Sequence, residues 1–278
     1  KCTWWLVGLS FVLLCLLWVP GLYPKIGGAR RWLDIWGVRF QASELAKVAI
    51  VFLFARFLAR EQTQSIQDLK RFGMCFVVLG SYIFCLLSQP DFGTSVLIVW
   101  TAFLMIFVNG LGFRAVFASC FIGCLSLVIL VLSAPYRLRR IESFLHPWDN
   151  IQAGGFQIIQ SFLAFNNGGL FGVGLGDSKQ KLFFLPETQT DFIMSIIGEE
   201  AGAIGVVTIV FLLLSYASCG FYISLNNKDP FKKLLGFGLT TLVLFQGIVN
   251  MYVVTGLLPT KGMSLPFVSA GLSNLFLC

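Results

Sequence analysis

Residues 191–224 read DFIMSIIGEEAGAIGVVTIVFLLLSYASCGFYIS. From Ala201 to Ser224 the run carries no charged side chain. A helix needs about 20 consecutive apolar residues to cross the hydrocarbon of a bilayer, and this run supplies them. As one straight helix the whole stretch would reach about 50 Å against a hydrocarbon core of about 30 Å, so it must tilt, kink or extend beyond the bilayer. Asp191 opens the stretch, and Glu199 and Glu200 lie inside it. Carboxylates at the mouth of a membrane helix are costly to desolvate and mark functional positions.

The composition agrees. The 278-residue chain is 57% hydrophobic and only 12% charged, with a mean hydropathy of +0.83. Soluble domains carry about 25% charged residues, so this balance belongs to an integral membrane protein, and the length of the apolar runs selects helices over a barrel. The eight cysteines lie in or beside apolar segments. Cys120 and Cys124 share a helix face, but no further ligand accompanies them, and they read as packing residues. No disulfide framework or metal-ligand cluster is visible. The formal net charge of +7 sits in the connections between spans and gives no sign of a nucleic-acid partner.

Seven spans can be drawn: Trp4–Leu22, Glu44–Leu58, Phe72–Leu87, Thr94–Leu111, Ala115–Ala134, Asp191–Ser224 and Leu234–Leu257, with an eighth starting at the C-terminal edge. The expectation is an all-α polytopic bundle forming a single transmembrane domain over residues 1–278, truncated at both ends, with a large folded extracytoplasmic loop over 135–188. Basic residues set its orientation. Arg56, Arg60, Lys70, Arg71, Arg114, Lys228, Lys232 and Lys233 occupy short connections, where the rule is strongest, and are placed in the cytoplasm. Arg30, Arg31, Arg137, Arg139, Arg140, Lys179 and Lys181 then face outward in long loops. Positive charge that topology does not demand calls for an anionic partner: a phosphate-bearing ligand or the lipid headgroups.

Four further stretches carry polar chemistry. In GGARRWLDIWGVRFQASELAK, residues 27–47, Trp32 and Trp36 read as interfacial anchors, and Glu44 and Lys47 fall at i, i+3 on one helix face. They form either a structural ion pair or a device in which Lys47 orients another carboxylate. In SQPDFGTS, residues 88–95, Asp91 and Thr94 read as a turn and helix cap. The glycine run of Gly168, Gly169, Gly172, Gly174 and Gly176 has no preceding strand and no GK[ST] end, so it reads as a re-entrant or interfacial turn. In PETQTDF, residues 186–192, Thr188 or Thr190 is a candidate cap, and Asp191 falls near the helix N-terminus, where negative charge is favoured. Glu199 and Glu200 lie about 12 Å or more further along a straight helix, and read as partners of a neighbouring helix or a buried polar network. The single histidine, His146, is assigned no role.

In order along the chain, GARRWLDIWGVRFQASELAK, QPDFGTS, RRIESFLHPWDN with GGFQIIQS, GLFGVGLGDSKQKLFFLPETQTDFIMSIIGEEAGAIG and VVTGLLPTKGMSLPFVSAG closely resemble the SEDS family (shape, elongation, division and sporulation), the FtsW/RodA/SpoVE group of bacterial membrane proteins. The QKLFFLPE wording is closer to the division-type branch than to the elongation-type branch. The chain departs from the family at Gln189, where His is usual, at His146, where Asp is expected, and at Ala270 and Leu272, where Tyr and Gly stand.

The resemblance implies a ten-span fold of which this chain is a fragment of seven to eight spans, multi-pass in the bacterial inner membrane at the division septum. It implies a peptidoglycan glycosyltransferase that polymerises lipid II, an undecaprenyl-pyrophosphate disaccharide peptide, at an outward-facing site. Its implied partners are a class B penicillin-binding protein (the transpeptidase), other divisome proteins and membrane lipid. Asp191 matches the family's essential aspartate and is the expected catalytic base. Arg30, Arg31, Glu44, Lys47, Arg137, Arg139, Arg140, Lys179, Lys181 and Glu187 are the expected substrate-binding residues. No cofactor is evident, and a divalent cation is an alternative aid to the leaving pyrophosphate. A lipid II flippase and a non-catalytic scaffold that activates the penicillin-binding protein are the competing functions.

Overall fold

The computed structural model describes residues 2–19, 31–35, 38–59, 66–110, 135–151, 155–180, 190–260 and 262–270. In chain order these residues form α1 (Cys2–Leu16), β1 (Trp32–Ile35), β2 (Val38–Gln41), α2 (Ala42–Leu58), α3 (Ile66–Ser88), α4 (Phe92–Val108), α5 (Pro135–Leu145), α6 (Gly155–Gly168), α7 (Ile193–Glu200), α8 (Gly202–Leu225) and α9 (Pro230–Val254). The protein is mostly helical. Among the described residues α8 and α9 are long and apolar enough to cross a membrane. Two compact units divide the chain: Lys1–Gly110, Tyr216–Val243 and Gly271–Cys278 form the first, and Leu111–Ser215 with Leu244–Ala270 form the second.

In the first unit α1, α2, α3 and α4 bury Leu14, Ile50, Leu53, Phe54, Leu86, Leu97 and Met105. A hydroxyl inside such a core must find a partner. The Tyr82 hydroxyl accordingly donates to the Val7 carbonyl at 2.6 Å and lies 2.6 Å from Ser10 Oγ, while Gln89 Nε2 donates to the Leu14 carbonyl at 2.9 Å. Asp91 caps α4 as its sequence predicts, accepting from the Thr94 N–H at 3.4 Å. Gly238 lets α9 approach closely: a Cβ there would meet Met105 Sδ and Val51 Cγ1, each at 2.7 Å.

The second unit gathers Phe192, Met194, Ile196, Val253, Val254 and Leu265 into one apolar cluster. Its polar interior is tied by Ser161, whose Oγ lies 2.6 Å from Ser195 Oγ and donates to the Val254 carbonyl at 2.6 Å. The overlong apolar run that begins at Asp191 is resolved by a break: α7 ends at Glu200, Gly202 takes φ +65°, and α8 starts afresh. Such a break leaves backbone groups without partners inside the helix. The glycine-rich loop supplies their partners. Val173 and Gly174 N–H groups donate to the Glu199 and Glu200 carbonyls at 3.0 and 3.1 Å, and the Ala203 and Ile204 N–H groups donate to the Gly169 and Leu170 carbonyls at 2.9 and 3.4 Å. Gly172, at φ +81°, has no room for a side chain, since a Cβ would lie 2.1 Å from the Glu200 oxygen.

Three expectations gain detail. The run 135–188, read as a folded loop, carries the helices α5 and α6 in its described part. The all-α reading gains a two-stranded antiparallel hairpin, in which Trp32 pairs with Gln41 and Leu33 with Phe40. The stretch 191–224, expected to tilt, kink or extend beyond the bilayer, is broken into two helices. The expected span Ala115–Ala134 lies outside the described residues.

Candidate active site

Asp191 sits in the turn that leads into α7 and is half-buried. α7 begins at the Phe192 cap position without a side-chain capping bond. Phe192, and not Thr190, takes the cap position of α7, and Thr188 lies outside the described residues. The turn is held instead from the C-terminal part of the second unit. Asn250 on α9, 1% exposed, donates from Nδ2 to the Asp191 carbonyl at 2.8 Å and to the Met263 carbonyl at 2.6 Å. Ser269 Oγ donates to the Thr190 carbonyl and accepts from the Leu265 N–H at 2.7 Å. Gln246 Nε2, one turn before Asn250, donates to the Ser264 carbonyl at 2.9 Å. The chain passes so near the aspartate at Gly262 that a Cβ there would lie 2.6 Å from Asp191 Oδ2.

The other expected site residues fall in several places. Arg140 is exposed on α5, and its Nη1 donates to the Thr260 carbonyl at 3.2 Å, so it reaches the same C-terminal loop. Lys179 is exposed. Its neighbours Ser178 and Gln180 are buried, and both bind Glu199: Ser178 Oγ donates to Oε2 and the Gln180 N–H to Oε2 at 3.2 Å. Asn167 Nδ2 completes the set, donating to Oε1 at 3.3 Å. Glu199, 1% exposed, is thus the buried polar network that its position in the sequence predicts.

In the first unit Lys47 and Glu44 form a buried ion pair at 2.7 Å on α2. Arg31 is occupied at the end of α3, where its Nη2 and Nε donate to the Pro90 and Gln89 carbonyls. Cations suit that place, because helix carbonyls there carry partial negative charge. Arg30, Lys181 and Glu187, and the side chains of Arg137 and Arg139, lie outside the described residues. Among the described residues no three His, Cys, Asp or Glu side chains converge as metal ligands do.

The glycine loop also decides a point of chemistry. The Val173 and Gly174 amides face the α7 carbonyls, so these two donors close the helix break and are not available to a phosphate.

The profile of the cell cycle protein family that groups FtsW, RodA and SpoVE matches residues 1–278. This chain belongs to that family. A relative from Geobacter sp. (strain M18), named "Probable peptidoglycan glycosyltransferase FtsW", is 42% identical over 268 residues, which is 96% of this chain and 73% of the relative. Stage V sporulation protein E of Bacillus subtilis (strain 168) is 40% identical over 272 residues, 98% of this chain and 71% of the relative. Among solved structures, a chain described under "Structural coordination of polymerization and crosslinking by a peptidoglycan synthase complex" superposes with a TM-score of 0.79 at 28% identity, covering 99% of this chain and 76% of that one. The rod shape determining protein RodA of Thermus thermophilus superposes with a TM-score of 0.69 at 26% identity, covering 99% and 73%. Like these FtsW/RodA/SpoVE proteins, the chain is a helical membrane protein.

Within this FtsW/RodA/SpoVE frame, sequence reasoning singled out Asp191 and did not name the two side chains that hold its turn, Asn250 and Ser269, or the close approach of Gly262. One signal was available. Gln246 and Asn250 are amides at i, i+4 in an otherwise apolar helix, and a polar group there needs a partner.

Proposed function

We propose that this protein is a septal peptidoglycan glycosyltransferase, which polymerises lipid II into glycan strands during bacterial cell division. The carrying observation is the Asp191 carboxylate, fixed on a turn that two C-terminal side chains hold, in a chain of the FtsW/RodA/SpoVE family. The reaction needs few groups. An acceptor sugar hydroxyl forms a new bond to C1 of the donor, and the bond from C1 to the lipid pyrophosphate oxygen breaks. The electron pair leaves with the pyrophosphate. The hydroxyl proton passes to the Asp191 carboxylate acting as general base. Pyrophosphate departs as an anion, so no general acid is required, and displacement from the opposite side inverts the anomeric centre.

Basic side chains answer the charge that develops on the pyrophosphate. Arg140 and Lys179 are the described candidates for that task, with Arg137 and Arg139 beside the first in sequence, Lys181 beside the second, and Arg30 in the first long loop. Arg31 and the Glu44–Lys47 pair support the reading less directly, since each is already engaged inside the first unit. In this reading the protein is a multi-span helical bundle of the bacterial inner membrane with its site facing outward, working with a class B penicillin-binding protein that cross-links the strands.

The test incubates the full-length protein and its penicillin-binding partner with labelled lipid II in liposomes, beside Asp191→Ala, with magnesium and with a chelator. The expected result is polymer from the native protein and none from the variant, and the chelator arm reports on a divalent cation. Equal polymer from both overturns the assignment. Transfer of lipid II across the bilayer without polymer establishes a flippase, and stimulation of the partner by both proteins without polymer establishes a scaffold.

A further inference from the structure

Two hydrogen bonds converge on the backbone of Asp191. Asn250 Nδ2 holds the carbonyl of residue 191, and Ser269 Oγ holds the carbonyl of residue 190. These carbonyls belong to the two peptide planes that flank the Asp191 Cα. Each plane is rigid, so fixing both sets φ and ψ at residue 191 and with them the direction of its Cα–Cβ bond. The same two side chains grip the loop opposite: Asn250 through the Met263 carbonyl at 2.6 Å, and Ser269 through the Leu265 N–H at 2.7 Å. The Asn250 amide can lie only one way round. Both its carbonyl partners are acceptors, so the nitrogen must face them.

We propose that Asn250 and Ser269 are positioning residues for glycosyl transfer, which aim the Asp191 carboxylate by fixing the peptide planes on either side of it and tie that aim to the loop at residues 262–265. The proposal rests on the reading of Asp191 as the base. Neither residue touches the reacting atoms; each acts through Asp191. A general base misaligned by about 1 Å costs on the order of a hundredfold in rate, whereas the affinity for substrate need not change.

The experiment compares Asn250→Leu, Asn250→Gln, Ser269→Ala and Asp191→Ala in the full-length protein with its partner, measuring kcat per folded molecule, KM for lipid II, and Tm in detergent. Asn250→Leu keeps the branched outline, with larger ends, and removes both donors; its kcat is expected to fall about tenfold or more with KM within about twofold. Asn250→Gln keeps the donors on a longer arm and is expected to recover part of kcat, and Ser269→Ala to lose several-fold. A purely structural role would lower Tm and the folded fraction, and leave kcat per folded molecule unchanged for all three. That outcome overturns the proposal, as does a loss expressed in KM alone. If Asp191→Ala polymerises normally, the reading of the base has failed. If Asp191→Ala is dead while Asn250→Leu turns over like the native protein, the base stands and the positioning role has failed.

Discussion

At the scale of single residues, the site is defined by what cannot be added to it. Gly262 has no side chain, and the Cβ of an alanine there would come within 2.6 Å of Asp191 Oδ2, closer than real contacts allow. The carboxylate would have to swing away. Gly262→Ala is therefore expected to cut turnover about tenfold or more while Tm holds or rises, since alanine restricts the unfolded chain. A parallel fall in Tm and activity would show that the collision is relieved by the backbone instead. Lys47 gives a prediction of the opposite kind. Its ammonium meets Glu44 at 2.7 Å inside the first unit. Lys47→Met leaves a buried carboxylate without that partner and is expected to cost about 3–5 kcal/mol. The double variant Glu44→Gln/Lys47→Met should recover most of this in thermal unfolding. The Asp191 motif was legible in the sequence because an acidic residue at the mouth of an apolar run is costly. The residues that aim it were not, because they bind main-chain carbonyls, and no sequence pattern displays a carbonyl brought near by folding.

Between helices, the loop at residues 167–180 and the α7–α8 break form one device. Glu199 accepts from Ser178, Gln180 and Asn167, and bonds to a charged acceptor are worth about 1.5–3 kcal/mol each. Glu199→Gln keeps the shape and removes the charge. It is expected to lower stability by about 1–3 kcal/mol and to open residues 167–180 to protease nicking and to faster amide exchange at Val173 and Gly174. Unchanged exchange there would show that the backbone bonds alone hold the loop. Parts of this were legible: the run from Asp191 was too long for one span, and the glycines marked a turn. The helices α5 and α6 were hidden. PYRLRRIESFL alternates charge with apolar residues, and GFQIIQSFLAFNNG is bounded by glycines, so neither has the unbroken hydropathy that reveals a membrane span. The hairpin was hidden for a related reason. Its strands are four residues each and contain Asp34 and Arg39, and the tryptophan among them, Trp32, reads equally well as a membrane anchor.

For the molecule as a whole, exposure sorts the thiols. Cys75 and Cys85 are buried in the first unit, whereas Cys219 is exposed on α8, amid Phe211, Leu212, Tyr222 and Ile223, which are exposed too. An exposed apolar surface on a helix of this length belongs against lipid acyl chains. A lipid-soluble maleimide is expected to label Cys219 in the folded, membrane-embedded protein and to spare Cys75 and Cys85, while a charged, water-soluble maleimide labels none of the three. Peptide mapping by mass spectrometry reads the result. Rapid modification of Cys219 by the charged reagent would place α8 in water and overturn its assignment as a span.

The plug at the helix break has a consequence for how the chain is made. Its donors and acceptors, residues 169–174, precede the break at 199–204 in the sequence. A ribosome delivers them first. When the interrupted helix reaches the bilayer, the segment that completes its main chain has already left the tunnel and needs only to fold back. Were the order reversed, the open carbonyls of Glu199 and Glu200 would wait for partners not yet synthesised. Biogenesis therefore sets a direction on this motif, and a circular permutant that moves the glycine loop behind α8 should insert poorly even though every contact of the finished protein remains available to it.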